Sequence, residues 1–217
     1  MTAVILLGHG SRDPRASDAL RNFAETLPEH GIHHTVRAAF LDHNRPTLQE
    51  VVDSLPVGDR EVIVVPMLLS SAFHAKTDVP AAIRDLKTTR TVRTTAPVGS
   101  VAALAESAAA TLEGPLVLGF SGTSDPLAQQ DLDALAASLA AKRGTPVIVG
   151  YATQAQPDVA SAIKQIGATG VITYTLWPGM FTDLIRQAAT DAGIASSQAL
   201  HLNALLYNAV LEVIANA

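Results

Sequence analysis

Short apolar runs alternate along the whole chain with stretches in which apolar residues recur every three or four positions. In the first half, this pattern predicts strands at 4–7, 34–41, 61–69 and 90–95 and helices at 14–27, 46–55, 77–88 and 100–112. The second half repeats the order, with strands at 115–119, 146–151, 170–176 and 196–200 and helices at 126–142, 157–167, 179–192 and 201–215. Continuous apolar strands that alternate with helices are typical of a parallel sheet covered on both faces.

Two matching segments indicate that this order arose by tandem duplication. Residues 4–14 read VILLGHGSRDP, and residues 116–126 read LVLGFSGTSDP. Each is an apolar run, then a glycine-containing turn, then Asp-Pro, which suits the cap and first position of a helix. We therefore predict an α/β protein of two similar doubly wound parallel-sheet halves with helices on both faces, residues 1–113 and 114–217.

Composition excludes several classes of protein. The chain has 217 residues, 48% hydrophobic and 16% charged, which indicates a globular protein, and it has no cysteine, which excludes disulfides, thiolate metal sites and cysteine nucleophiles. A net charge of −5 without a basic stripe argues against nucleic acid, and the apolar run 61–69 is too short to span a bilayer. The amino terminus lacks the features of a signal peptide. We expect a cytoplasmic monomer that binds neither nucleic acid nor membrane.

The segment Gly8-His9-Gly10-Ser11-Arg12 follows the first predicted strand. In open parallel sheets, ligands bind at the carboxyl ends of the strands. The flanking glycines leave room for the imidazole of His9 to face a cleft, and Arg12 adds positive charge. The other interpretation is a capped turn with an incidental histidine, since capping alone accounts for Asp13 and Pro14.

A second histidine-containing segment, Ser70 to Lys76, follows the third predicted strand and leaves the sheet at the same edge. Two neutral imidazoles, His9 and His74, could there share one divalent ion such as Fe, Co, Ni or Zn. A two-ligand site is weak, which suits a metal that is handed on. His43 lies beyond the second strand on this edge, where it could join the site, although a surface-loop role is the favoured interpretation.

Ser121 raises a different possibility. Gly119-Phe120-Ser121-Gly122-Thr123 nearly matches the nucleophile elbow G-x-S-x-G of serine hydrolases, with Thr123 in place of the last glycine. His201 follows it in the order that hydrolases use. The duplication gives the simpler interpretation, in which Ser121 is the counterpart of His9.

The stretches LLGHGSRDP and PMLLSSAFHAKTDVP together resemble the sirohydrochlorin chelatase family. These class II chelatases include the cobaltochelatases of cobalamin synthesis and the ferrochelatases of siroheme synthesis, and their longer members are duplicated in the same way. The resemblance implies an enzyme that inserts Co²⁺ or Fe²⁺, as metal substrate, into sirohydrochlorin without a permanent cofactor. It implies that His9 and His74 lie in a cleft between the halves, bind the metal and help to remove the pyrrole protons.

The resemblance also implies residues for the substrate. Ser11, Arg12 and Lys76 are candidates for binding the carboxylates of sirohydrochlorin. Asp42 stands where family members often have glutamate, so its role as a third, acidic ligand stays open. The sequence does not choose between cobalt and iron, because both ions accept imidazole.

In the second half, Phe181 falls near the position of His74. This half is therefore predicted to be a degenerate repeat that forms the other wall of the cleft, with Trp177 and Phe181 packed either on the macrocycle or in the core. Two alternative functions stay open: a non-catalytic metal or tetrapyrrole carrier, and a serine hydrolase that uses Ser121.

Overall fold

The computed structural model describes residues 1–32, 34–69, 77–100 and 103–217, apart from the side chain of residue 100. The chain forms two compact units. The first comprises Met1–Val101 together with Leu206–Ala217, and the second comprises Ala102–Leu205.

The first unit is built on a four-stranded parallel sheet. Its strands are β1 (Thr2–Gly8), β2 (Thr35–Phe40), β3 (Glu61–Pro66) and β4 (Thr91–Thr94). They lie in the order β2-β1-β3-β4, so β1 is central and the loops after β1, β2 and β3 leave from neighbouring strands at the same edge. The helices that follow them are α1 (Pro14–Thr26), α2 (Leu48–Ser54) and α3 (Val79–Arg84).

The second unit repeats this plan. Helix α4 (Ala103–Ala109) precedes strands β5 (Leu116–Phe120), β6 (Val147–Tyr151), β7 (Gly170–Thr173) and β8 (Ala195–Ser196), with helices α5 (Pro126–Arg143), α6 (Val159–Ile166) and α7 (Met180–Asp191) between them. The strand order β6-β5-β7-β8 is that of the first sheet, and all pairs are parallel. The predicted α/β class with two parallel sheets is therefore confirmed, and the shared order supports the duplication.

Each sheet has its central strand in the middle of the core. In β1, residues 3–7 are completely buried, and in β5, residues 116–118 are completely buried. A strand covered by helices on both faces has no solvent-facing side, which explains why these segments read as unbroken apolar runs rather than as alternating ones.

The last helix of the chain, α8 (Leu205–Ala215), belongs to the first unit. The ring of Tyr207 stacks on Phe23 of α1 with 4.5 Å between ring centroids, and its hydroxyl lies 3.0 Å from the hydroxyl of Thr26. Arg93 on β4 also donates a 3.0 Å hydrogen bond to the carbonyl oxygen of Ala217.

Helix α4, conversely, belongs to the second unit. Ser107 exchanges hydrogen bonds with the side chain of Asn203, and Arg143 at the end of α5 donates to the carbonyl oxygens of Ala109 and Leu112. The compact units thus depart from the predicted division at residues 113 and 114, because the final helix of each repeat packs in the other unit.

Several element ends also differ from the predictions, because polar caps decide where helices begin. Helix α8 begins at Leu205, four residues later than predicted, since the side chain of Asn203 accepts a hydrogen bond from the Leu205 amide. Helix α2 begins after Thr47, which forms a capping box with Glu50. The helices of the described ranges include none that is long and apolar enough to cross a membrane.

Candidate functional site at the carboxyl edge of the first sheet

The loop between β1 and α1 carries His9 directly after the central strand of the sheet. Asp13 caps α1, since its carboxylate accepts a hydrogen bond from the Arg15 amide and Pro14 takes the first helical position, as predicted. The Arg15 guanidinium, hydrogen-bonded to the same carboxylate, lowers the pKa of Asp13. This cap fixes where the loop ends, so the four residues from His9 to Arg12 span the gap between strand and helix.

The loop between β2 and α2 packs directly on the His9 loop. The Asp42 amide donates a 2.8 Å hydrogen bond to the His9 carbonyl, and the Ser11 amide donates a 2.7 Å bond to Oδ1 of Asn44. Gly10, at φ +97°, lies between them, and a Cβ atom there would overlap the carbonyl oxygen of Asp42. Glycine at position 10 therefore allows the two loops to meet.

Helix α1 holds the far side of the second loop. Arg21 donates a 2.8 Å hydrogen bond to the carbonyl oxygen of Arg45, and its guanidinium lies 5.1 Å from the ring centroid of Phe40. The Phe40 amide in turn donates to the carbonyl oxygen of Pro46, which closes the loop at its base. These contacts and the hydrogen bonds to the His9 loop hold the loop between β2 and α2 in place, so the positions of its side chains are well defined.

The imidazoles of His9 and His43, one from each of these two loops, lie beside each other. Their ring centroids are 6.1 Å apart and the rings are inclined by 53°. His43 has φ +60°, the left-handed region that residues other than glycine seldom adopt. Its Nε2 atom lies 3.5 Å from Oδ2 of Asp42, whose Oδ1 accepts a hydrogen bond from the His43 amide. His43 is thus an exposed loop residue, as favoured from the sequence, and at the same time it lies beside His9.

The other predicted residues of the first half are placed as follows. His74 and Lys76 lie outside the described residues. Arg12 is exposed at the same edge, and the hydroxyl of Ser11 accepts a hydrogen bond from the Asp13 amide. Within the described ranges, no three His, Asp or Glu side chains are arranged to hold a metal ion together.

The second unit reproduces the loop framework without its histidines. Gly122, at φ +134°, lies against the carbonyl group of Thr153, just as Gly10 lies against the carbonyl group of Asp42. The Thr153 amide donates a 3.0 Å hydrogen bond to the Ser121 carbonyl, as the Asp42 amide does to the His9 carbonyl. Gln154, at φ +66°, takes the place of His43. Ser121 and Gln154 are thus the structural counterparts of His9 and His43.

The surroundings of Ser121 do not resemble a hydrolase site. His201, the base that the hydrolase interpretation would need, has its Nδ1 atom 3.1 Å from the Leu176 carbonyl oxygen. In the part of the chain that the structure describes, no histidine is hydrogen-bonded to Ser121. His201 lies within a 3₁₀ turn, Leu200–Leu202, and not in the helix predicted over 201–215, because α8 begins only at Leu205.

Trp177 and Phe181 lie at the carboxyl edge of the second sheet. The Trp177 ring is 6.1 Å from the ring of His201, and its carbonyl oxygen accepts a hydrogen bond from Thr182. Phe181 is exposed on the first turn of α7, where Met180 and Leu184 are exposed as well. Phe181 is therefore not a core residue, and this edge presents apolar side chains to solvent.

Burial makes His201 a source of pH-dependent stability. Desolvation lowers the pKa of His201 below its usual value of 6.5, against the opposing effect of the hydrogen bond to Leu176. The unfolded state therefore binds the proton more readily, so stability is complete above about pH 7 and falls as the pH drops through 6.5 and below. We expect His201→Gln to reduce this fall. Chemical denaturation of the wild type and the variant at pH 8 and pH 5.5 measures the free energy of unfolding, and the values at pH 8 serve as the control. An equal decrease in the free energy of unfolding of both proteins between pH 8 and pH 5.5 would contradict the prediction.

Comparison with solved structures defines the class of fold. SirB from Bacillus subtilis with Fe³⁺ superimposes with a TM-score of 0.79, at 22% identity, over 100% of this chain and 95% of that one. The sirohydrochlorin chelatase SirB of Bacillus subtilis subspecies spizizenii, in complex with cobalt, superimposes with a TM-score of 0.74 at the same identity and coverage. The protein thus has the fold of these chelatases.

Sequence comparison defines the family. The family model described as CbiX matches residues 3–113, about half of the chain, and the chain belongs to this family. A sirohydrochlorin cobaltochelatase of Methanopyrus kandleri is 38% identical over 81 residues, which cover 37% of this chain and 57% of that relative's length. The family resemblance read from the His9 and His74 segments is therefore confirmed.

Proposed function

We propose that this protein is an enzyme that inserts Co²⁺ or Fe²⁺ into sirohydrochlorin. The observation that carries the proposal is the position of His9, held by two interlocked loops at the carboxyl edge of the central strand in a member of the CbiX family. The relative from Methanopyrus kandleri is named a sirohydrochlorin cobaltochelatase, and the SirB structures hold iron and cobalt. The metal is a substrate in this proposal, and no resident cofactor is required.

His9 would serve this reaction in two ways. A tetrapyrrole loses two N–H protons as a divalent ion enters, and a neutral imidazole can both bind the ion and accept a proton. The Nδ1 atom of His9 lies 3.3 Å from the carbonyl oxygen of Gly10, and the tautomer that donates there carries its lone pair on Nε2. An imidazole oriented in this way suits binding of a metal through Nε2.

His74 is proposed as the second ligand of the family pair. The strand order supports this, because β3 lies directly beside β1 and the segment with His74 follows β3. Lys76 in the same segment, with Arg12 and Ser11 in the His9 loop, would bind carboxylates of the substrate. The exposed apolar side chains around Phe181 suit the face of a macrocycle.

Anaerobic incubation with sirohydrochlorin and either Co²⁺ or Fe²⁺, followed by visible absorption, tests the proposal. We expect many turnovers per protein molecule, at rates well above the spontaneous reaction without protein. Competition between the two metals would show which one is preferred. Binding that stops at one tetrapyrrole per chain without turnover would identify a carrier instead, and no acceleration with either metal would refute the chelatase proposal.

A further inference from the structure

We propose that His43 is a metal ligand beside His9, and that Asp42 orients His43 instead of binding the metal itself. The proposal deepens the proposed function, on which it rests for the identity of the metal. It differs from the expectation that a carboxylate at position 42 supplies the acidic ligand. In this chain, the imidazole of His43 would take the place of that acidic ligand.

The spacing of the two imidazoles is close to that of two ligands on one shared ion. Imidazole nitrogen binds transition metals at about 2.1 Å, so the ring centroids of two imidazoles on one ion, at bond angles of about 90° to 110°, lie roughly 4.6 to 5.3 Å apart. The observed separation of the His9 and His43 centroids is 6.1 Å. This separation is about 1 Å longer, so the two rings would have to rotate toward each other to bind one ion. His43 is exposed and His9 is half-buried, so an ion arriving from solvent can reach them.

The carboxylate of Asp42 is already engaged with His43. Its Oδ1 atom accepts a 2.7 Å hydrogen bond from the His43 amide, and its Oδ2 atom lies 3.5 Å from Nε2 of His43. Histidines that bind metals usually donate their other ring N–H to a carboxylate, which fixes the tautomer and makes the ligand nitrogen more basic. In this arrangement Nδ1 of His43 is the ligand atom, and the carboxylate of Asp42 lies on the Nε2 side of the ring, where it orients the imidazole.

The repeat shows which part of this arrangement is specific to the first unit. Gln154 adopts φ +66° at the position equivalent to His43, so the left-handed backbone belongs to the fold of both loops. The two units differ in the side chains at these positions. The first unit has an imidazole in both loops, His9 and His43, whereas the second unit has none in either loop. The pairing of His9 with His43, against Ser121 with Gln154, therefore points to a shared ligand and not to a requirement of the loop.

An imidazole in place of a carboxylate has a consequence for metal choice. Carboxylates suit hard ions such as Mg²⁺ and Mn²⁺, whereas imidazole suits Fe, Co, Ni and Zn. With His9 and His43 as ligands, the site offers imidazole nitrogen alone. We expect it to bind Co²⁺ in preference to Mg²⁺ and Mn²⁺, and to release the ion to the four nitrogens of a tetrapyrrole.

His43→Asn tests this proposal, because asparagine tolerates the left-handed backbone while removing the imidazole. Calorimetric titration with Co²⁺ alone should show affinity at least 10-fold below that of the wild type, and spin-echo spectroscopy with Cu²⁺ should count one fewer bound imidazole. Gln154→Asn is the matched control and should leave both measurements unchanged. Asp42→Asn should weaken binding less than His43→Asn and should keep the imidazole count.

An unchanged imidazole count in His43→Asn, with Co²⁺ affinity within twofold of the wild type, would overturn the proposal. So would a greater loss in Asp42→Asn than in His43→Asn, since the carboxylate would then be the ligand. These titrations contain no sirohydrochlorin, so their outcome is independent of the turnover assay. A protein that binds Co²⁺ through His43 but inserts no metal would refute the chelatase proposal and leave this one standing.

Discussion

Replacement of His9 by alanine should lower the rate of metal insertion by at least about 10²-fold, the usual contribution of a positioned general acid or base. The variant loses both the ligand nitrogen and the proton acceptor at the carboxyl edge of β1. The loop itself should survive, because its bonds to Asp42 and Asn44 use the backbone of His9 and Ser11. Initial rates of anaerobic insertion, measured over a range of sirohydrochlorin concentrations, give kcat and KM separately.

Ser121→Ala is the matched control for this prediction. Ser121 occupies the same point of the repeated loop, where its carbonyl oxygen accepts the hydrogen bond from Thr153 and its side chain supplies no imidazole. Its rate should stay within twofold of the wild type. An equal loss in both variants would mean that the loop framework, rather than the imidazole, governs the rate. Insertion by His9→Ala at the wild-type rate would remove His9 from the reaction.

The sheets could be predicted from sequence because their central strands leave a clear pattern. Residues 3–7 and 116–118 are completely buried, and full burial on both faces requires the unbroken apolar runs that the sequence shows. The Asp-Pro pairs likewise predict helix starts, since Asp13 and Asp125 both cap as expected. These features depend on local chemistry, so a single sequence is sufficient to find them.

The partners of the terminal helices could not be predicted in this way. An amphipathic pattern shows that α4 and α8 bury one face, but not which sheet they bury it against. The bonds that decide the question join residues far apart in the chain, such as Thr26 with Tyr207 and Ser107 with Asn203. A division into two sequential halves is therefore the natural reading of the sequence, and the exchange of helices becomes visible only in three dimensions.

How closely His43 approaches His9 could not be predicted for a related reason. The sequence places His43 after the second predicted strand, at the correct edge, but its orientation depends on φ +60° and on the hydrogen bond from Asp42 to His9. Neither follows from the residue pattern alone. The available signal was the duplication, because aligning the two loops sets His43 against a glutamine.

Gly10→Ala should abolish the site by separating the two loops that form it. A Cβ atom at position 10 would overlap the carbonyl oxygen of Asp42, and φ +97° is a conformation that alanine adopts only with strain. The loop with Asp42 and His43 must therefore move away from His9. We expect Co²⁺ affinity and the insertion rate to fall at least 10-fold, and the free energy of unfolding to fall by about 2 kcal/mol or more. Calorimetric titration and chemical denaturation measure the two effects.

Gly122→Ala separates the loss of the site from the loss of stability. Its Cβ atom would overlap the carbonyl oxygen of Thr153 at φ +134°, so the strain is of the same kind, but the loops concerned carry Ser121 and Gln154. This variant should be destabilised to a similar extent and should bind Co²⁺ as the wild type does. If Gly10→Ala kept wild-type Co²⁺ affinity, the junction of the two loops would not form the metal site. If Gly122→Ala lost Co²⁺ affinity equally, the loss would reflect general destabilisation.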